Sequence, residues 1–260
     1  MNNKIGKFSS SEIHSLLSKG KIEMTPEELA ARPKKGPGSS VKYKEGGLGS
    51  AALSYIQHKK WERKAGRSLS QNIWAKPTAW GILCEPRVFD LLGTQYHRMG
   101  TDDSIPHPQY GDFWHGTPDG IKYVLTEQDA IAEVKCPFTL TSFFTFAECA
   151  NIDEVVENHP DGYKYKWQCV SNACIVGVNY AELIIYCPYE EELSVIREMA
   201  IESDNISTRR WIENSDPKEL PFLIKGKSYL NMYTFRFEVT QSMKDELTEA
   251  VLLAKNYMLI

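Results

Sequence analysis

AIAEVKCPF, residues 130–138, places an acid and a base two positions apart in an otherwise apolar segment. Alternate side chains of a β-strand point to the same face, so Glu133 and Lys135 are expected about 6–7 Å apart on one side of the strand. Ile131 and Val134 indicate a buried strand, in which an unpaired charge is costly. The segment therefore predicts either a half-exposed strand with an incidental ion pair or a charged site built into a sheet.

The composition is that of a globular protein. Of the 260 residues, 42% are hydrophobic and 25% are charged. No apolar run approaches the roughly 18 residues that span a bilayer, and the first residues lack the apolar stretch of a signal peptide. We therefore expect a cytoplasmic protein without a membrane partner. The six cysteines show no CxxC spacing, which argues against a zinc or iron–sulfur site.

Positive charge is clustered, although the net charge of −4 argues mildly against a nucleic-acid partner. One cluster lies in residues 21–48, which are rich in Pro, Gly and Lys and are expected to form a mobile basic loop. The other is KKWERKAGR, residues 59–67. A solvated face explains either cluster, and a groove for a phosphate backbone is the alternative.

Hydrophobic periodicity predicts an α/β domain in which helices come first and a mixed sheet with packed helices follows. Expected helices are 8–20 (with Ser9 or Ser10 as N-cap and Gly20 as the stop), 50–64, 78–93, 139–157, 161–177 and 241–258, and expected strands are 115–125, 130–138, 181–187 and 233–239. TEQD, residues 126–129, is expected to be a turn. Pro86 suggests that a helix starts or kinks there.

Two carboxylates and a lysine are expected to meet on this sheet. Asp119 lies in the turn TPDG, fourteen residues before Glu133, and pairing of the two strands would bring both acids beside Lys135. Carboxylates can hold Mg²⁺ with waters completing its octahedron. The lysine could orient or deprotonate an attacking water, or offset charge in a phosphoryl transition state. The pattern predicts a phosphodiesterase site.

Other residues are candidates for the same site. Glu85 could supply a third carboxylate from its helix, and an exposed helix acid is the alternative. Tyr165 and Gln168 share one helix face and could brace the site or touch nucleic acid, with ordinary packing as the alternative. His115 is expected to be a structural histidine near the site rather than a general base, because the lysine already fills that role.

Four motifs in order resemble one nuclease family. GTPDG followed by AEVKCPFT resembles the signature of the PD-(D/E)xK nucleases, in particular the lambda exonuclease and YqaJ-like viral recombinase group. GKFSSSEIHSLL, KPTAWGILCEPRVFDLL and YKWQCVSNACIV resemble that family's N-terminal, acid-bearing and glutamine-bearing helices. The resemblance covers most of the first 190 residues. It implies a restriction-endonuclease-like core, with a central mixed β-sheet flanked by α-helices.

The resemblance also implies an activity. This is 5′→3′ hydrolysis of duplex DNA from free ends in phage-type recombination, with two Mg²⁺ ions for which Mn²⁺ substitutes. A trimeric homo-oligomer, a single-strand annealing partner and a location in the host-cell cytoplasm are implied as well. An endonuclease or structure-specific nuclease of the same fold is one alternative, and a catalytically silent DNA-binding module is the other.

Site roles follow from the resemblance residue by residue. The implied metal ligands are Asp119, Glu133, the backbone carbonyl of Val134, and Glu85. Lys135 would activate water, and Gln168 and Tyr165 would support the site.

The chain departs from the lambda pattern where that enzyme positions its 5′-phosphate. Two arginines of that pattern read Lys4 and Thr141 here, whereas Ser11 and Thr117 keep hydroxyl groups. The implied phosphate- or DNA-binding residues are therefore Lys4, Ser11, Thr117 and Tyr165. We expect a single nuclease domain over 1–260, and its expected parts are a catalytic core at about 76–190, a segment without counterpart at 203–228, and a strand and helix at 230–258.

Overall fold

The segment that carries Glu133 and Lys135 forms the middle strand of a five-stranded sheet. The structure is a computed structural model, and it describes residues 4–31, 43–71, 73–100 and 102–259. The strands are β1 (Phe8–Ser9), β2 (Lys19–Glu23), β3 (Tyr43–Leu48), β4 (Tyr96–Arg98), β5 (Ile105–Pro106), β6 (Trp114–Gly116), β7 (Gly120–Val124), β8 (Glu127–Lys135), β9 (Tyr180–Tyr186) and β10 (Met232–Glu238). The α-helices are α1 (Pro26–Ala30), α2 (Ser50–Ala65), α3 (Lys76–Leu92), α4 (Leu140–Ala147), α5 (Ile152–Asn158), α6 (Gly162–Val176), α7 (Leu193–Ile201), α8 (Ile206–Asn214) and α9 (Gln241–Leu259). Short 3₁₀ helices cover Ser10–Leu17, Glu190–Glu192 and Pro217–Glu219.

The central sheet is mixed, with strand order β10-β9-β8-β7-β4. β8 pairs antiparallel with β7 and parallel with β9, placing Glu133 opposite Leu183 and Lys135 opposite Ile185. A parallel pair needs a long crossover connection, which α4, α5 and α6 provide. The predicted fold, a mixed sheet flanked by helices, is confirmed.

Each face of the sheet has its own apolar layer, because successive residues of a strand point to opposite faces. Ile131 of β8 packs with residues of α4, α6 and α9 on one face. Ala132 and Val134 pack with residues of α3, α7 and α8 on the other face. Glu133 thus lies on the face that α6 covers, and its neighbours in sequence belong to the opposite core.

Most predicted elements are present within a few residues of their expected bounds. The strand expected over 115–125 is divided into β6 and β7, which belong to different sheets. α3 runs through Pro86, so no helix starts there. Pro86 removes the donor that would reach the carbonyl of Ile82, and Ile82 is exposed, so water can serve that carbonyl. The single helix expected over 139–157 is divided into α4 and α5. Asn151 caps the second helix by accepting hydrogen bonds from the backbone of Asp153 and Glu154.

The N-terminal third differs more from the expectation. Within the expected loop 21–48, β2 and β3 form an antiparallel pair, and Thr25 caps α1 with a capping box. Residues 32–42 lie outside the described residues. The predicted helix over 8–20 is a 3₁₀ helix that ends at Leu17 instead of Gly20, and the Ser9 side chain makes no capping hydrogen bond. Of the expected turn 126–129, residues from Glu127 onward already belong to β8.

In the part of the chain that the structure describes, we find no helix with the length and apolarity needed to cross a membrane.

Candidate active site

The structure brings Asp119, Glu133 and Lys135 together at the end of β8. Gly120 pairs with Ala132, so Asp119 reaches the strand beside it, and its Oδ2 accepts a 2.7 Å hydrogen bond from the backbone N–H of Val134. Lys135 Nζ lies 2.6 Å from Glu133 Oε1. The three side chains that the sequence predicted to converge therefore do so.

Gly120 also brings the third acid close. A Cβ at this position would lie 2.4 Å from the Phe89 ring, so only glycine lets α3 pack directly on β7. Glu85 lies one turn before Phe89 on α3, half-buried at the site rather than exposed on the helix. Arg98 Nε donates to Glu85 Oε1 at 3.0 Å, a contact that sequence reasoning missed.

α6 supplies two amides to Glu133. Gln168 Nε2 donates to Oε1, and Asn172 Nδ2 donates to Oε2 at 3.2 Å. Gln168 was predicted to support the site, and Asn172 was not. The spacing of four residues between them was the available signal, because residues four apart share a helix face.

The surroundings of this cluster disfavour the ionised form of its three carboxyl groups. Burial, and next the negative charge of Asp119, raise the pKa of Glu133 to about 8 although Lys135 opposes the shift. Burial also raises the pKa of Asp119 against the charge of Lys135 and the hydrogen bond from Val134. The pKa of Glu85 is raised by burial and by Asp119, with Arg98 opposing. Like charges held out of water favour protonation of these carboxyls, or a bound cation.

Lys135 is the main counter-charge in the cluster. Burial alone would lower its pKa, but the carboxylates of Glu133 and Asp119 raise that pKa above its ordinary value. The ammonium also lies 5.1 Å from the centre of the Tyr165 ring, within the range of a cation–π contact. Tyr165 therefore contacts Lys135 directly.

The donor set suits an open magnesium site better than a closed metal cage. Among the described residues, no three His, Cys, Asp or Glu side chains are arranged as a ready metal site. Mg²⁺ is commonly held through one or two carboxylates while it keeps several waters. Asp119, Glu133 and Glu85, which repel one another at this point, could hold such an ion, and Val134 lines the adjoining cavity.

Two cavities meet at this cluster. The smaller has a volume of about 340 Å³ and the larger about 600 Å³. Both are lined by the same four residues, Ser11, Glu85, Asp119 and Gln168. Asp119 and Glu85 therefore face both cavities, whereas Glu133 is buried behind them.

The predicted phosphate-binding residues divide between these cavities. Lys4, Ser11 and Thr117 all line the smaller one, where they offer an ammonium and two hydroxyl groups. Tyr165 lines the larger one, so the structure does not bring it together with Lys4 and Thr117. Thr141 is exposed on α4.

His115 is a wall residue of the smaller cavity, and it is buried. Its Nδ1 lies 2.9 Å from Ser104 Oγ. Burial lowers its pKa to about 4, and the positive charges of Lys4, Lys59 and Lys7 act in the same direction. The imidazole is therefore neutral near pH 7.

Comparisons with known proteins identify the fold. No protein-family model matches the sequence, and no curated protein matches it. Over 98% of its length the chain is similar to 89% of an alkaline exonuclease from Laribacter hongkongensis, with 14% identity and a TM-score of 0.54, and the complex of that enzyme with dAMP gives the same values. Over 97% of its length it is similar to 93% of a phage-related exonuclease from Haemophilus somnus 129PT, with 16% identity and a TM-score of 0.56. At these identities the likeness shows a shared fold.

Proposed function

We propose that this protein is a magnesium-dependent deoxyribonuclease that removes nucleotides from the 5′ ends of linear duplex DNA. The observation that carries the proposal is the convergence of Asp119, Glu133 and Glu85 with Lys135, at a point where Asp119 and Glu85 line both cavities and Lys135 lines the larger one. The fold shared with two exonucleases supports the same activity. The resemblance of the sequence motifs to the lambda exonuclease group supports the 5′ polarity.

The acids would hold the metal and the lysine would act on the phosphate. Bound Mg²⁺ supplies Lewis-acid activation of the phosphodiester and of an attacking water. Asp119, Glu133, Glu85 and the Val134 carbonyl would bind two such ions, for which Mn²⁺ would substitute. Lys135, beside these carboxylates, would orient or deprotonate the attacking water, or stabilise negative charge that develops on the phosphate.

The smaller cavity would receive the terminal phosphate of the DNA. Lys4 would neutralise charge there, and the hydroxyl groups of Ser11 and Thr117 would donate to phosphate oxygens. A lysine binds phosphate as a point charge, without the two-pronged geometry of arginine. This cavity would therefore depend on the hydroxyl groups and on the nearby lysines for orientation.

Assembly and pathway are further parts of the proposal. The family resemblance suggests a trimeric ring and cooperation with a single-strand annealing protein in recombination.

The test uses purified protein with Mg²⁺, linear duplex DNA labelled at either end, and covalently closed circles. We expect linear DNA to be shortened from its 5′ ends while circles persist, and we expect EDTA or Lys135→Ala to abolish the reaction. Lys225→Ala, at an exposed lysine paired with Glu191, is the matched control and should cut normally. Nicked circles would replace the exonuclease with an endonuclease at the same site. DNA binding without cleavage under Mg²⁺ or Mn²⁺ would indicate a silent DNA-binding module.

A further inference from the structure

The two oxygens of Glu133 are held by different donors. Lys135 and Gln168 donate to Oε1, whereas Asn172 donates to Oε2. We propose that Asn172 is a positioning residue, which fixes the plane of the Glu133 carboxylate so that it can bind the metal of the proposed reaction. This inference rests on the proposed function, and it assigns a role to a residue that none of the sequence motifs identified.

The buried amide of Asn172 is costly unless it serves Glu133. Asn172 is fully buried, and its Oδ1 has no hydrogen-bond partner among the described residues. An unpaired buried acceptor is destabilising, so an apolar side chain would be the better choice for packing alone. When Glu133 is ionised, as metal binding requires, turning the amide round would place Oδ1 against its carboxylate, acceptor against acceptor. The carboxylate therefore fixes the orientation of the amide, and the amide fixes the carboxylate in return.

The neighbouring strand is shaped around this amide. A Cβ at Gly116, the last residue of β6, would lie 2.3 Å from Asn172 Oδ1 and 2.3 Å from Ser10 Oγ. Only glycine leaves room for Asn172 where it stands. Gly116 is the first residue of the GTPDG motif, so the motif that carries Asp119 also makes space for the partner of Glu133.

The adjacent residue on α6 provides a control for loss of a buried polar group. Ser171 is also fully buried, and its Oγ lies 2.8 Å from Ser10 Oγ and accepts a 2.8 Å hydrogen bond from Trp114 Nε1. These contacts tie α6 to β6 and to the 3₁₀ helix at Ser10–Leu17. Replacing Ser171 should therefore weaken packing without releasing Glu133.

The experiment compares Asn172→Leu and Asn172→Ala with Ser171→Ala and the wild type in the full chain. Binding of Mn²⁺ alone is measured by titration calorimetry, and cleavage of linear duplex DNA is measured over a range of Mn²⁺ concentrations. Removing a residue that orients a metal ligand commonly reduces metal affinity by about 10- to 100-fold. We expect that loss in both Asn172 variants, with cleavage shifted to higher Mn²⁺, whereas Ser171→Ala should bind Mn²⁺ as the wild type does.

The two Asn172 variants guard against a failure to fold, because leucine keeps the branching and the number of heavy atoms and alanine cannot overpack the site. Circular dichroism and thermal unfolding establish which variants are folded. Wild-type affinity for Mn²⁺ in either folded variant would overturn the positioning role while the nuclease proposal stands. If the wild type itself neither binds Mn²⁺ nor cuts DNA, the proposed function fails and this inference fails with it.

Discussion

Two buried glutamates on adjacent strands of one sheet have opposite electrostatic environments. Glu133 of β8 and Glu182 of β9 are each 1% exposed. The register places Glu182 beside Ala132, so the two side chains project from opposite faces of the sheet. The pKa of Glu133 is raised to about 8, whereas the pKa of Glu182 is lowered.

The partners explain the difference. Burial alone would raise the pKa of Glu182, but hydrogen bonds from Lys122 (2.8 Å), Tyr96 (2.6 Å) and Arg236 (2.8 Å) outweigh it. Among the described residues, the cation that contacts Glu133 is Lys135, and it is shared with Asp119. The cluster at Glu182 is complete within the protein. The cluster at Glu133 has an excess of acid that a bound cation would balance, which is the pattern of a functional site rather than a structural one.

The largest expected difference is in catalysis. Glu133→Gln should reduce cleavage of linear DNA by more than about 100-fold, because losing a proposed metal ligand should cost more than losing a residue that only orients one. It should leave the folded protein at least as stable near pH 7, since glutamine is neutral without the proton that Glu133 has to take up on folding. Cleavage rates and chemical denaturation measure the two effects. Rates near those of the wild type would show that Glu133 holds no metal.

Replacing Glu182 should lower stability and leave cleavage unchanged. Glu182→Ala should lower the free energy of unfolding by about 1–3 kcal/mol, because Lys122 and Tyr96 lose their buried acceptor, whereas Arg236 keeps its ion pair with Asp129. Cleavage per folded molecule should be unchanged. Urea denaturation checks this against Glu238→Ala, at an exposed acid of the same sheet. Equal losses from the two variants would contradict the assignment.

The stability of the folded protein should depend on pH through Glu133 and through Glu182 in different pH ranges. Folded Glu133 keeps its proton up to a pKa of about 8, whereas in the unfolded chain the group loses it near 4.5. In EDTA, stability should therefore fall as the pH rises from about 5 to about 8. Glu182, with a lowered pKa, contributes stability that is lost only below about pH 4.5.

Urea unfolding of the metal-free wild type at several pH values tests this dependence, with Glu133→Gln as the comparison. The variant should show a flatter profile between pH 5 and 8. A wild-type profile that is already flat would mean that Glu133 is ionised in the folded protein without a metal.

The smallest effect is expected for the ion pair between Arg98 and Glu85. The side chain of Arg98, which pairs with Glu85, is 43% exposed. Exposed ion pairs contribute little, so Arg98→Gln should change the free energy of unfolding by less than about 1 kcal/mol. Denaturation in low and high salt measures it, and a larger loss would place Arg98 among the structural cations with Lys122 and Arg236.

The sequence predicted the sheet well because its central strands are distinctive. β8, β9 and β10 show strong apolar or alternating patterns, and their bounds were predicted within a few residues. The β2–β3 pair was missed because both strands are largely exposed and glycine-rich, so no hydrophobic period marks them.

The site was predictable where its residues are close in sequence or share a motif. Glu133 and Lys135 lie on β8, and Asp119 directly precedes β7, the strand that one short turn joins to β8. Asn172 was missed because an asparagine within a mostly buried helix suggests packing as readily as a contact, and only the tertiary arrangement of α6 on β8 reveals its partner. Arg98 was missed for the same reason, since its contact with Glu85 depends on how β4 lies against α3.

The central claim is that Asp119, Glu133 and Glu85 bind a cation. Thermal unfolding with and without Mg²⁺ tests this claim most directly. A ligand present at 100 times its dissociation constant stabilises the folded state by about 2.7 kcal/mol. We predict that Mg²⁺ raises the melting temperature of the wild type and of Glu182→Gln, and leaves that of Glu133→Gln nearly unchanged. An equal rise in all three proteins, or no rise in the wild type, would contradict a metal site at Glu133.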